Sequence, residues 1–187
     1  MRLPVPLDRA YRLLNHGPTV LIGSAAGGRR NVMAAAWCMP LDFDPPRVLV
    51  VIDSATFTRE LMEASGEFSI SVPTCAQREL TVAVGGDSGR EHDKFEALSI
   101  ATFAGEQVRA PLIDGCVAWL ECRVIPEPHN ENRHDLFIGE VVAAQADSRV
   151  FSSGRWHFDG ADAALRTLHH VAGGTFFATG DVVGNDR

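Results

Sequence analysis

Thr19-Val20-Leu21-Ile22-Gly23-Ser24 and Val32-Met33-Ala34-Ala35-Ala36-Trp37 are apolar or small throughout, and Ala25-Ala26-Gly27-Gly28-Arg29-Arg30-Asn31 between them is rich in turn formers. Two strand-length runs joined across a Gly-Gly turn predict a β-hairpin. The first strand therefore leads to an antiparallel partner and not to a crossover helix. Asp44-Pro45-Pro46 then breaks the chain before Arg47–Asp53, a Val/Ile-rich run that reads as a buried strand. Ser54 or Thr56 is placed to cap a short helix to Ala64, closed by Gly66. Glu67–Val72 alternates Phe68, Ile70 and Val72 with Glu67, Ser69 and Ser71, the pattern of a half-buried strand stopped by Pro73.

Further on, Thr74 can cap a second short helix over Cys75–Val84, running into the glycine-rich loop Gly85-Gly86-Asp87-Ser88-Gly89. A turn of helix is predicted over Asp93–Leu98, and strands over Cys116–Ile125 and Asp135–Ala144 with Asn130–His134 as a polar turn between them. Val150–Arg187 is mixed and receives no assignment. Six strands with hairpin connections and two or three short helices make a mainly β chain, an antiparallel barrel with helical insertions. Gly23-Ser24-Ala25-Ala26-Gly27-Gly28 has neither the spacing nor the following helix of a dinucleotide fingerprint, so a doubly wound parallel sheet is rejected.

Composition sets the outer limits. With 187 residues, 45% hydrophobic and 22% charged, the chain suits one compact domain over residues 1–187. A chain of this length buries roughly 70% of its unfolded surface and needs no disulfide or structural metal. Its 17 Lys and Arg against 24 Asp and Glu give −7, which argues against general affinity for nucleic acid or anionic lipid. Cys38, Cys75, Cys116 and Cys122 form no C-x-x-C pair and no zinc-like cluster with histidine. Met1–Asn15 lacks the apolar core of a secretory signal, and the longest apolar runs are too short to span a bilayer, so a cytoplasmic protein is expected.

Three segments could carry chemistry. In Asn31–Pro40, three alanines occupy a predicted strand although alanine is a poor strand former. Either a neighbouring element packs close there, or the bare backbone is a platform for a planar ligand. Asp53-Ser54-Ala55-Thr56-Phe57-Thr58-Arg59 brings three hydroxyls to a helix start; one suffices as a cap, and more suit a phosphate. Ser88-Gly89-Arg90-Glu91-His92-Asp93-Lys94-Phe95 is either a solvated loop or an anion site in which a helical turn sets Arg90 and Lys94 on one face.

In this order the segments resemble the flavin reductase-like family, split-barrel flavoproteins that bind FMN. The likeness runs over about residues 10 to 180 and rests on Asn31–Trp37, Asp44-Pro45-Pro46, the Ser54/Thr56/Thr58 helix start, Gly66-Glu67-Phe68, Ser88-Gly89-Arg90 with Asp93-Lys94-Phe95, and His134–Val141. It implies a six-stranded antiparallel Greek-key split β-barrel, a homodimer, and hydride transfer from NADH or NADPH to FMN or FAD. The flavin ring would lie on Met33, Ala34, Ala35, Ala36, Trp37 and Cys38, and the phosphate with Ser54, Thr56 and Thr58, assisted by Ser88, Gly89, Arg90, Lys94 and Phe95. His134 would reach the nicotinamide side as the one candidate catalytic residue. Ala34-Ala35-Ala36 departs from relatives that carry Thr or Ser there, removing a hydroxyl contact to the flavin edge, and Phe57 reads as a core anchor or an aromatic wall. Over the tail, Arg155-Trp156-His157-Phe158 and Leu168–Gly174 hold no ligand spacing for a metal; the resemblance has this region cover the barrel or cross to a partner subunit, with Trp156 as an interface anchor. The implied activity is an NAD(P)H:flavin oxidoreductase, with or without a separate monooxygenase component. The alternatives are a tightly bound FMN electron-transfer protein and a flavin-dependent reductase of another acceptor.

Overall fold

The computed structural model describes residues 1–184. The hairpin is β2 (Val20–Ala26) and β3 (Arg29–Ala35), longer than predicted because only Gly27 and Gly28 form the turn. Both have positive φ, +57° and +78°, which glycine adopts without a Cβ penalty and which matches the twist of a two-residue hairpin. β1 (Arg2–Pro4) precedes them; β4 (Cys38–Phe43), β5 (Pro46–Val51) and β6 (Glu67–Val72) follow. β7 (Thr102–Phe103) and β8 (Leu112–Ile113) are a short pair, and β9 (Ala118–Ile125) and β10 (Leu136–Asp147) complete the main sheet. Its order is β3-β2-β6-β9-β10-β5-β4 with β1 added on β10, every pairing antiparallel.

The sheet thus has eight strands where six were expected. The two additions, β1 and β4, are edge strands that contain Pro4 and Pro40, residues that read as breakers yet are tolerated where an N–H faces away from the ladder. Side chains from seven of its strands, among them Ile22, Val50, Phe68, Leu120 and Phe137, converge on one core, so the sheet curls into a barrel. Gly139 opposes Phe68 there so closely that a Cβ would come within 2.5 Å of the ring.

A second core of Leu21, Val32, Val84, Phe95, Leu112 and Trp119 lies outside the barrel. It corrects the reading of β6 as half-buried. Ser69 and Ser71 are fully buried because residues 111–113 cover that face, Ser69 Oγ donating to Pro111 O at 2.6 Å and Ser71 Oγ accepting from Ile113 N at 3.1 Å. Polar alternation marks an exposed face only where nothing else satisfies the hydroxyls.

Four α-helices decorate the barrel among the described residues. α1 (Phe57–Ser65) is capped by Thr56, whose Oγ1 accepts from Arg59 N, and buries Phe57, Leu61 and Met62. α2 (Arg78–Gly86) follows a 3-10 turn at Cys75–Gln77, and Gly85-Gly86 belong to its last turn, not to the predicted loop. α3 (Lys94–Ala97) is capped by Asp93. It begins at Lys94, so Arg90 lies outside it and the two cations share no helical face. α4 (Pro128–His134) replaces the expected polar turn; it buries no residue, so no apolar period announces it.

Beyond β10, β11 (Phe151–Ser152) pairs with β12 (Arg155–Trp156), and β13 (Leu168–Ala172) with β14 (Thr175–Ala178). Trp156 turns inward, donating Nε1–H to Arg12 O at 3.0 Å and stacking on Phe158. The β13–β14 hairpin is clasped to the barrel by Thr19 N to Leu168 O at 2.7 Å and His170 N to Thr19 Oγ1 at 2.9 Å. Next to it His16 Nε2 meets Thr167 Oγ1 at 3.0 Å, while its buried Nδ1 has no partner among the described residues. Burial and the neighbouring His169 push the His16 pKa down from 6.5 to about 4. Folded His16 therefore binds fewer protons than unfolded His16 between those values, so its contribution is complete above pH 6.5 and lost as pH falls through 4. Urea unfolding from pH 7 down to 4 should show a stability loss that is smaller by about 2 kcal/mol in His16→Gln.

Candidate functional site

A cavity of about 690 Å³ opens where β3 bends into β4. Met33 to Trp37 form one wall; Val51 and Asp53 at the end of β5, Thr81, Val82, Gly85 and Gly86 of α2, His134 and Asp135 at the α4–β10 corner, and Thr19, His170, Gly174 and Phe176 enclose it. That size falls within the roughly 300–1,000 Å³ of small-molecule sites.

The alanines divide between the two readings of their strand. Ala34 lies against α2, where a Cβ on Gly85 would be 3.4 Å from its own, and Ala35 faces the barrel core. Ala36 and Trp37 are open, Trp37 with 74% of its surface exposed. Here a single methyl stands beside an exposed indole, and a planar ring can approach the wall closely. Cys38 is buried, its thiol pushed up to about 12 by burial, and does not line the cavity.

At the other predicted segment, Thr56 spends its hydroxyl on capping: Oγ1 donates to Asp53 O at 2.8 Å and accepts from Arg59 N at 3.3 Å. Thr58 is buried and its Oγ1 accepts from Asn31 Nδ2 at 2.9 Å. Ser54 is exposed. Helix geometry leaves the first-turn N–H groups of α1 outside the i→i−4 ladder, at the positive end of the dipole.

The Ser88–Arg90 loop comes to this helix start from more than thirty positions away. Arg90 Nη2 donates to Ala55 O at 2.9 Å and Nη1 pairs with Glu60. Ser88 Oγ accepts from Arg90 N at 3.4 Å, and Gly89 is buried where a Cβ would meet Asn31 Oδ1 at 2.2 Å. Asn31 Oδ1 is itself buried without a partner among the described residues. Lys94 lies elsewhere: 2% exposed, it donates Nζ–H to Val32 O at 3.0 Å and Val84 O at 2.8 Å, and burial pushes its pKa down. Phe95 is buried in the outer core beneath the Arg30 guanidinium.

Several residues of this region escaped sequence reading. Arg29, taken as part of a turn, donates to Gly89 O and Arg90 O and stacks 4.1 Å over Phe57, and no carboxylate pairs with it among the described residues. Arg59 is nearly buried, bonded to Glu63 and Asp135 and to Glu131 O at 3.0 Å, and so ties α1 to the corner that carries His134. Phe57 is a buried core residue beneath Arg29, and it is not among the cavity-lining residues. The arginine pair in Arg29-Arg30 was the one available sign; burial of Arg59 left none.

Fold and cavity together describe a mainly β barrel with a cleft open along the main chain of one strand. The profile of the flavin reductase like domain matches residues 12–165, and the chain belongs to that family. The match leaves the β13–β14 hairpin outside it. YddH of Escherichia coli (strain K12) is 50% identical over 95% of both chains. A crystal structure of an FMN-binding domain of flavin reductases-like enzyme from Shewanella baltica superposes with a TM-score of 0.96 at 49% identity, over 100% of this chain and 98% of that one. An NADH-dependent FAD reductase of Streptomyces globisporus is 28% identical over 81% of this chain and 86% of its own. No helix among the described residues is long and apolar enough to cross a membrane.

Proposed function

We propose that the cavity binds FMN, or the same part of FAD, and that the chain is a cytoplasmic NAD(P)H:flavin oxidoreductase able to supply reduced flavin to a monooxygenase component. The observation that carries this reading is the open wall at Ala36–Trp37, a single methyl beside an exposed indole, in a cavity that reaches Asp53 just before the helix N-terminus on which Arg90 converges. A planar ring with a phosphate tail needs those two features together. When bound, flavin supplies a two-electron acceptor for the hydride of a reduced nicotinamide.

The chain's own groups orient and hold. Main chain from Met33 to Trp37 fixes the ring plane, and Ser54, the N–H groups at the start of α1, Arg90 and the unpaired charge of Arg29 favour the phosphate. Lys94 acts from beneath by tying β3 to the end of α2. His134, exposed at the cavity rim, sets the position of the nicotinamide. Direct hydride transfer needs orientation more than a protein acid, so no proton donor is assigned. The exposed apolar row Trp37, Met39, Leu41 and Phe43 along edge strand β4 is covered by a second copy of the chain, giving a homodimer.

Purified protein given FMN and NADH, then NADPH, should oxidise one of them continuously. Failure with both nucleotides contradicts the assignment, and retention of stoichiometric FMN through gel filtration with negligible oxidation makes the chain an electron-transfer flavoprotein instead. Arg90→Glu should weaken FMN binding about tenfold or more, by reversing charge beside the helix start. Its exposed pair with Glu60 is worth at most about 1 kcal/mol, so the urea midpoint should scarcely move.

A further inference from the structure

The β13–β14 hairpin lies beyond the stretch matched by the family profile, yet it supplies part of the cavity wall. In its register His170 is directly opposite Phe176, and both side chains line the cavity, their rings edge to face at 5.4 Å between centroids. The opposite face carries His169 and Phe177: His169 bonds Gly17 O at 3.0 Å and Thr179 Oγ1 at 3.1 Å, and Phe177 points to solvent. The turn is Gly173-Gly174, with φ of +52° and +76°, and a bulge between His170 and Ala172 shifts the register so that His170, not Val171, stands opposite Phe176. Arg78 Nη2 donates to Gly174 O at 3.1 Å, and Cys75 N to Arg166 O at 2.8 Å, fixing tip and base of the hairpin to the α2 segment. The aromatic pair is thus carried on an element clasped to the barrel at tip and base.

Charge narrows what that wall accepts. Among the described residues the cavity-lining acids are Asp53 and Asp135, the latter paired with Arg59, and neither Lys nor Arg lines it. A ring bearing an anionic substituent is disfavoured, and an uncharged or cationic heteroaromatic ring is favoured. A dihydronicotinamide fits: giving up a hydride, two electrons and one proton, to the flavin leaves its ring a pyridinium cation.

We propose that the β13–β14 hairpin is the specificity wall of this site, His170 and Phe176 forming the aromatic edge against which the nicotinamide ring of the second substrate is held. The inference rests on the flavin reading above and adds to it the element that selects the electron donor.

The test uses the full chain and NADH as the probe. FMN affinity is measured by flavin fluorescence, and the KM for NADH by steady-state oxidation, in the wild type, Phe176→Ala, His170→Ala and Phe177→Ala. Loss of the aromatic edge should raise the KM for NADH about tenfold in Phe176→Ala, less in His170→Ala, with FMN affinity unchanged. Phe177→Ala, on the solvent face, should alter neither quantity. An unchanged KM in Phe176→Ala with FMN still bound overturns the inference while sparing the flavin reading. Weakened FMN binding in that variant also overturns it, since the hairpin would then be holding flavin. Absence of FMN binding by the wild-type chain removes the flavin reading itself, and the inference with it.

Discussion

Ala36→Phe should abolish measurable flavin binding at micromolar protein while leaving the fold intact. Ala36 is exposed at the bend between β3 and β4 and lines the cavity, so a larger side chain there meets no core atoms and fills the space above the main-chain wall. A benzyl group lying on the platform occupies the position a planar ligand needs. Loss of that surface should weaken FMN binding by roughly 100-fold or more, about 3 kcal/mol. Flavin fluorescence titration reads the loss, and an unchanged far-UV spectrum and urea midpoint show that the barrel remains. Retained affinity would place the flavin elsewhere. Ala34 offers no such test, because α2 packs against it through Gly85 and a larger residue there disturbs packing.

Lys94→Met should have its effect on stability. The ammonium is buried and bridges Val32 O on β3 and Val84 O in the last turn of α2, so one cation satisfies a strand carbonyl and a carbonyl at a helix C-terminus. Methionine keeps much of the volume and removes both donors, leaving two buried carbonyls unpaired. A loss of about 2–4 kcal/mol in urea unfolding is expected. A change below about 0.5 kcal/mol would mean that Lys94 is not the staple it forms here. FMN affinity measured on the folded fraction separates this role from a direct phosphate contact: the staple alone predicts a change far smaller than that of Arg90→Glu.

The hairpin, β5, α1 and β9 were legible because each carries a local signal: a Gly-Gly turn, a Val/Ile run after Pro-Pro, a Thr cap with Gly66 at the far end, a strong alternation. What failed to show was decided at a distance. β6 looked half-exposed because Ser69 and Ser71 find their partners in residues 111–113, more than forty positions away. α4 is polar on every side and β4 contains Pro40, so periodicity and propensity missed both. At the site, the platform and the Arg90 loop were visible as residue types in an unusual order, but Lys94 and Thr58 could not be told from ligand-facing groups until their internal partners were seen. Arg29, Arg59 and the His170–Phe176 pair act through contacts that no spacing encodes, and the tail that carries the last of them showed its histidines and aromatics without showing which of them face the cavity.

A crystal structure of the protein grown with FMN would show whether flavin lies along Met33 to Trp37. The ring is expected against that wall, with its phosphate at the start of α1 and within reach of Arg90. A flavin found instead in the separate cavity lined by Arg9, Arg12 and Arg155, or crystals with no flavin at saturating FMN, would contradict it.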